Sequence, residues 1–261
     1  MKEYLEIFSP GQKLADLHIH TNRSDGHLAP VQIVDLAVAT QRLNTIAITD
    51  HDTIRPAVEA KEYGLKNSYP LDIVVGAEIS TARGHLLGLY LQDNIPSRRS
   101  AEWTIKEIHK QGGLAIAAHP LFKRVKSFSE DTLIVLMANP DPEVHLDGYE
   151  VYNAGTNNYS DTANEEALAF YLKYEGQLGA AIGSTDLHYF VIGRGQTGYK
   201  DELHNAIKSS QTTVFFLEKE EIDQHTKLAI KLFPEDVERL RGRLEVYRKR
   251  RERKTPQGLI I

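Results

Sequence analysis

No cysteine occurs in the 261 residues, which excludes disulfides and every thiolate metal site. Any metal bound here has to be held by His, Asp or Glu, a donor set that suits manganese, iron, zinc or magnesium. Tryptophan occurs once, and Trp103 falls inside a helical segment, where it reads as packing rather than as a base-stacking platform. No uninterrupted apolar run approaches the span of a bilayer. The charged start Met1-Lys2-Glu3-Tyr4-Leu5-Glu6 lacks the apolar core of a signal peptide. The expectation is a cytoplasmic protein with no membrane partner. An excess of positive charge is also missing: 31 Lys and Arg against 36 Asp and Glu leave a net charge of −5, which argues against a globally basic nucleic-acid binder but leaves local basic patches open.

What is present is ordinary for a globular chain, 41% hydrophobic and 26% charged, long enough for one large α/β domain with a sizeable core. Apolar, β-rich runs alternate with helical periodicity. Strands are expected over the run opening at Ala15, over 44–49, 71–78, 114–118, 148–152 and 177–183, and over 212–217. Helices are expected over 30–42, 55–66, 100–111 with Ser100 as N-cap, 161–176 and 201–209. The run 84–90 can return antiparallel to the strand ending at Glu78, and Gly193-Arg194-Gly195 reads as a loop. This alternation predicts a parallel or mostly parallel sheet. A last helix starts at Pro234-Glu235-Asp236, and the basic stretch Arg241 to Lys254 reads as a solvated, dipole-matched face, with RNA or a partner subunit as the alternative.

The chemistry sits at strand ends. In the stretch from Ala15 to Gly26, His18 and His20 share one face of an extended chain, and the following turn can bring Asp25 back to the same spot. Asp50-His51-Asp52, Glu78, His119-Pro120 and Asp186-Leu187-His188 each follow an apolar run. His85 can approach Glu78 across the hairpin, with a merely hydrogen-bonded hairpin histidine as the alternative. Asp16 and Asp52 are candidates for orienting ligand imidazoles. In a barrel of parallel strands these ends converge on one rim. His27, His109, His145, His204 and His225 lie outside the motifs and read as ordinary histidines.

The order His-x-His, Asp-His-Asp, Gly-x-Glu, Gly-His-Leu-Leu, Ala-His-Pro and Asp-x-His resembles the PHP (polymerase and histidinol phosphatase) family of metal-dependent phosphoesterases, over roughly residues 14–217. The resemblance implies a distorted (β/α)7 barrel with its metal site at the C-terminal strand ends, spanning residues 1–217. A helical extension would follow over 218–261, packed on the barrel or projecting from it. It implies two to three divalent ions (Mn, Fe or Zn). One would be held by His18, His20, Glu78 and Asp186, a second by Glu78, His85 and His119, and a third by Asp25, His51 and His188. Asp186, Glu78 and His188 would carry catalysis, with a hydroxide shared between ions as the attacking group. Arg23, Lys123, Arg124 and Arg194 lie in loops after ligand strands, and with Asn153 they are the candidate substrate contacts. Solvated surface, or for Asn153 a turn, is the alternative reading for each. The expected activity is hydrolysis of a phosphate monoester on a small metabolite or nucleotide, best a nucleoside 3′,5′-bisphosphate or short RNA ends. The alternatives are a histidinol-phosphate phosphatase, a carbamate or amide hydrolase on the same barrel, and a non-catalytic metal-binding regulatory domain.

Overall fold

The first three strands, β1 (Lys13–Asp16), β2 (Thr45–Ile48) and β3 (Asp72–Ser80), run parallel. They are joined over one face by α1 (Pro30–Thr40) and α2 (Arg55–Lys66). All four residues of β2 are buried, as expected for a strand covered on both faces. The hairpin expected after Glu78 forms: β4 (His85–Leu89) pairs antiparallel with β3, in register from Gly76↔Leu89 to Ser80↔His85. β5 (Leu114–Ala117) is antiparallel to β4, so it runs with β3 again. β6 (Gly148–Asn153) and β7 (Ala180–Ser184) continue in parallel. The helices α3 (Ala101–Lys110), α4 (Glu130–Met137) and α5 (Ala163–Lys173) lie between them in sequence. The computed structural model describes residues 11–156, 162–217 and 219–239.

The ring closes beyond β1 and β7. Ile19 bridges Leu187 in parallel, His20 N–H donating to the Leu187 carbonyl at 2.9 Å and Leu187 N–H to the His18 carbonyl at 3.1 Å. Seven strands therefore form a nearly closed, distorted barrel in which only β4 runs against the rest. Below that bridge the seam is filled by β8 (Gly195–Tyr199), antiparallel to β1, and β9 (Thr213–Phe216), antiparallel to β8. The sequence reading took the start of β8 for a loop, because two glycines and no alternation carry no strand signal. Gly195 is needed there: a Cβ would stand 2.0 Å from the Ser184 carbonyl oxygen.

Side chains from facing strands fill the barrel: Leu17, Val74, Leu87, Leu89, Ile116 and Ile182 touch one another, and α6 (Leu203–Lys208) adds Leu203 and Ile207. A second apolar layer lies between the sheet and α1 and α2, built from Ile33, Val34, Leu36, Ala57 and Ala60 against Leu14, Ile46 and Ile48. α4 is a helix the sequence reading did not include. Its Thr-Leu-Ile-Val-Leu-Met run has no clear helical period, but the Ser129 side chain accepts the Thr132 N–H and starts it. α7 (Lys219–Leu232) lies within the stretch 218–261 expected to be a helical extension. It joins the α1 layer through Ala229, with Arg42–Glu221 as an ion pair. Pro234 does open a further turn, where Val237 is buried and Asp236 accepts from Gln32 at 2.8 Å. The basic stretch from Arg241 to Lys254 lies outside the described residues. Among the described residues no helix is long and apolar enough to cross a membrane.

Asp16 fastens the seam. Its carboxylate accepts the Thr185 N–H at 3.0 Å and the Gly193 N–H at 2.8 Å. Full burial lifts its pKa from 3.8 to about 6, against the pull of those hydrogen bonds. A carboxyl with a folded pKa above its unfolded value contributes stability that is complete at low pH and lost as pH rises through the folded value. The stability of the wild type relative to Asp16→Asn, from paired urea titrations, is expected to fall by up to roughly 3 kcal/mol between pH 3.8 and about 6 and to be flat above. A difference independent of pH would contradict this.

Candidate metal centre

Nine donor residues widely separated in sequence converge on one rim of the barrel, eight of them at or after the C-terminal ends of strands and His85 at the start of the antiparallel β4. His18 and His20 follow β1, held at this height by the Ile19–Leu187 bridge. Asp25 returns on the turn after them. That turn is pinned by the buried Asp50, which accepts from Thr21 N–H at 2.9 Å, Thr21 Oγ1 at 3.0 Å and Ser24 Oγ at 2.5 Å. His51 follows β2, Glu78 lies within β3, His85 opens β4, and His119 follows β5. Asp186 and His188 follow β7. His119 (φ 28°) and Asp186 (φ 53°) sit in the left-handed region, which non-glycine residues occupy at a cost and which is concentrated at functional sites.

Glu78 is the hub. Only 1% exposed, it presents Oε1 to His85 Nδ1 at 2.7 Å and His119 Nε2 at 2.8 Å. Its Oε2 faces His20 Nε2 at 3.1 Å, His18 Nε2 at 3.3 Å and His51 Nδ1 at 3.3 Å. Asp186 Oδ1 stands 3.3 Å from His20 Nε2 and 3.5 Å from His18 Nε2. Asp25 Oδ2 stands 3.1 Å from His188 Nε2 and 3.4 Å from His51 Nε2.

This donor set fits divalent cations. His18 Nδ1 donates to Glu150 Oε1 at 3.0 Å and His188 Nδ1 to the Asp186 carbonyl at 3.0 Å. Each ring therefore turns its other nitrogen toward carboxylate oxygens. His18 Nε2 also lies 3.0 Å from His20 Nε2, while the buried His20 Nδ1 makes no hydrogen bond among the described residues and faces Asp25 Oδ1 at 3.3 Å. Lone pairs facing carboxylates need positive charge between them, from protons or from metal. Two donor atoms each about 2.1 Å from one ion stand about 3.0 to 3.4 Å apart at right-angled to tetrahedral coordination, the range most of these pairs occupy.

Electrostatics report the same demand. Burial pulls the His18 pKa down, yet Asp186, Glu150 and Glu78 hold it well above its ordinary value. For His20, burial likewise opposes, and Asp186 and Glu78 raise it to about 10. His51 and His119 are raised against burial by Asp25 and Glu78 respectively. Glu78, Asp25 and Asp186 are held below the carboxylate range by the same imidazoles, although burial alone would lift them. Without metal His18, His20, His51 and His119 hold protons more tightly than free imidazoles do, and cations that replace those protons release them.

The candidate substrate contacts divide. Arg194 and Arg124 line a cavity of about 730 Å³ over the cluster, and among the described residues the buried Arg194 Nε has no partner. Arg23 is not brought to the site: it lies on the surface and is bidentate to Glu59 at 3.1 Å. Lys123 is exposed and does not line the cavity. Asn153 is no rim residue but a buried link, donating to Glu150 at 3.0 Å and Asp186 at 3.3 Å. Asp16 and Asp52 do not touch ligand imidazoles with their side chains. Like Asp16, Asp52 accepts a backbone N–H, from Ser80 at 2.7 Å. Two residues escaped the sequence reading. Glu150 is a fully buried carboxylate that also accepts the His119 N–H at 2.5 Å and the Ser184 hydroxyl; its signal was a charge inside the apolar run 148–152. His27, read as ordinary, lines the cavity, donates to the His188 carbonyl at 2.8 Å and stacks on Tyr189.

A family model described as PHP domain matches residues 16–221. An uncharacterized protein of Methanocaldococcus jannaschii is 39% identical over 150 residues, 54% of this chain and 81% of that protein. The 5′-3′ exoribonuclease Rnm of Salmonella typhimurium is 40% identical over 88 residues, 32% of this chain and 30% of that one. The 3′,5′-nucleoside bisphosphate phosphatase of Chromobacterium violaceum is 31% identical over 96 residues, 35% and 33% of the two chains. The chain thus matches about a third of the length of either named enzyme. The crystal structure of a two-domain protein from Bacteroides vulgatus, containing a predicted PHP-like metal-dependent phosphoesterase, shares the fold. Its TM-score is 0.61 at 20% identity, over 82% of this chain and 68% of that one.

Glu150 sets the His18 tautomer, so Glu150→Gln is expected to weaken divalent metal binding about 10- to 100-fold, measured by titrating the metal-stripped protein with Mn²⁺ in isothermal calorimetry. Unchanged affinity would remove Glu150 from the account.

Proposed function

The chain belongs to the PHP domain family, and on that premise we propose that it is a metal-dependent phosphoesterase, releasing phosphate from a small phosphorylated metabolite or nucleotide. The observation that carries this reading is the buried Glu78 carboxylate facing five imidazoles at the floor of an open cavity. His18, His20, Glu78 and Asp186 are the proposed holders of one ion; Glu78, His85 and His119 of a second; Asp25, His51 and His188 of a third. Manganese, iron and zinc all suit that mixture of imidazole and carboxylate. Divalent ions supply, when bound, an activated water at neutral pH and neutralisation of phosphoryl charge.

The protein's own part is orientation. Glu78 spans the donor groups with its two oxygens, Asp186 completes the first, and His188 borders the cavity where a leaving oxygen would emerge. Arg194 and Arg124 are the proposed contacts of the phosphate that is not cleaved, because both line the cavity and, among the described residues, the Arg194 Nε–H has no partner that would compete with an oxyanion. Phe122, Val125, Tyr189 and Val191 give the same cavity an apolar wall, which suits a base or sugar face better than histidinol phosphate. The names of the exoribonuclease and bisphosphate phosphatase relatives support the same preference. A nucleoside 3′,5′-bisphosphate or a short RNA end in the cytoplasm is therefore the proposed substrate. Residues 1–217 are the proposed catalytic barrel and 218–261 an extension, and the docking of α7 on α1 supports an extension packed on the barrel rather than projecting from it.

Phosphate release is to be measured from adenosine 3′,5′-bisphosphate, short 5′-phosphorylated RNA, histidinol phosphate and an aryl phosphate, beside an aryl carbamate, with Mn²⁺ or a chelator. Release that requires metal and drops more than about 100-fold in Asp186→Asn is expected. Cleavage of the carbamate alone, or none at all with metal bound, would overturn the reading. Arg194→Ala is expected to raise KM for the bisphosphate about tenfold and to leave the aryl phosphate little changed. An equal effect on both would deny Arg194 a role with the second phosphate.

A further inference from the structure

A second donor group lies at the opposite end of the barrel, where β5 and β6 begin. His109 is in the last turn of α3, and His145 and Asp147 lead into β6. His109 Nδ1 lies 2.8 Å from the Glu143 carbonyl oxygen and His145 Nδ1 2.9 Å from that of Pro142. A carbonyl can only accept, so both Nδ1 atoms carry the proton and both Nε2 atoms point elsewhere. They point at one carboxylate: His109 Nε2 is 2.9 Å from Asp147 Oδ2 and His145 Nε2 is 3.6 Å from Asp147 Oδ1. The two rings stack at 4.5 Å. One donor atom from each of the three residues falls within 4.8 Å of the others.

Such an arrangement requires positive charge beside the carboxylate. A protonated His109, raised by Asp147 against burial and against the Lys208 ammonium, supplies it at one carboxylate oxygen and leaves His145 Nε2 facing the other. One cation bound by both Nε2 atoms and Asp147 serves both oxygens and both rings. The rings already have what metal-binding histidines need, an Nδ1–H fixed on a carbonyl. Asp147 is likewise pre-oriented, because Oδ2 accepts the Ala115 N–H at 2.8 Å. We propose that His109, His145 and Asp147 bind a borderline divalent cation of the zinc class, separate from the metal centre, cross-linking the end of α3 to the start of β6. Imidazole and carboxylate donors suit zinc, and the exposure of His145 leaves room for water to complete the coordination.

The test counts bound metal. The unsubstituted 261-residue chain, His145→Gln and His109→Gln are dialysed against the same low concentration of Zn²⁺ and the bound zinc is measured by mass spectrometry. The centre at the other end is intact in all three, so only the difference matters. Because His145 is mostly exposed, His145→Gln is the variant that keeps the fold, as its unfolding curve in chelator will show. One zinc equivalent fewer in both variants, with metal-dependent phosphate release unchanged, is expected. Equal zinc content in all three proteins would overturn the proposal and leave Asp147 as the partner of a protonated His109.

Discussion

A buried carboxylate has to be matched by positive charge, and Glu78 concentrates that requirement at one point. Removing an ionised group from water costs several kcal/mol unless partners replace the solvent. Here the replacement is five imidazoles, two on one oxygen and three on the other. Imidazoles are neutral at ordinary pH unless something shifts them, so the compensation is completed by protons or by divalent cations. The cluster is therefore a site whose stability and metal content are linked. A protein that holds this arrangement together only through protons would carry several charged rings within van der Waals distance of one another. The His18 and His20 ring centres, for example, are 5.0 Å apart.

The barrel exists, in this sense, to bring those rings to one carboxylate. Strand ends deliver single residues from far along the chain, and the closing bridge between Ile19 and Leu187 lies between the first two histidines and beside the last aspartate. Closure of the fold and assembly of the site are thus the same event. A second tier of buried acids makes the geometry specific. Glu150 orients His18 and the backbone of His119, Asp50 anchors the turn carrying Asp25, and Asp16 ties the Thr185 and Gly193 backbone to β1. None of these three faces the cavity, yet each limits where a ligand can be.

Much of this was legible in the sequence because metal chemistry uses few residue types and strand ends are easy to find. His-x-His on an extended stretch, Glu78 ending an apolar run and Asp186-Leu187-His188 after another are local signals, and the hairpin that brings His85 to Glu78 followed from the turn between them. What was not legible depends on tertiary context. Glu150 looks like any charge in a strand until the barrel turns it inward. The difference between Arg23, consumed by Glu59, and Arg194, held unpartnered at the cavity, comes from loop paths that no pattern encodes. β8 shows no strand signal because its glycines serve close approaches, Gly195 to the Ser184 backbone and Gly198 to the Phe215 ring, rather than strand propensity. The helix α4 carries little signal because its run is too uniformly apolar to show a period.

On the proposed function, divalent ions rather than protons alone balance the carboxylates around Glu78. Anomalous diffraction from crystals equilibrated with Mn²⁺, collected at an energy where manganese scatters anomalously, tests it most directly. The account predicts at least two peaks within the cluster, on either side of the Glu78 carboxylate and each in contact with imidazole nitrogens. A fully ordered cluster with the same side-chain positions and no anomalous peak beside Glu78 would contradict it.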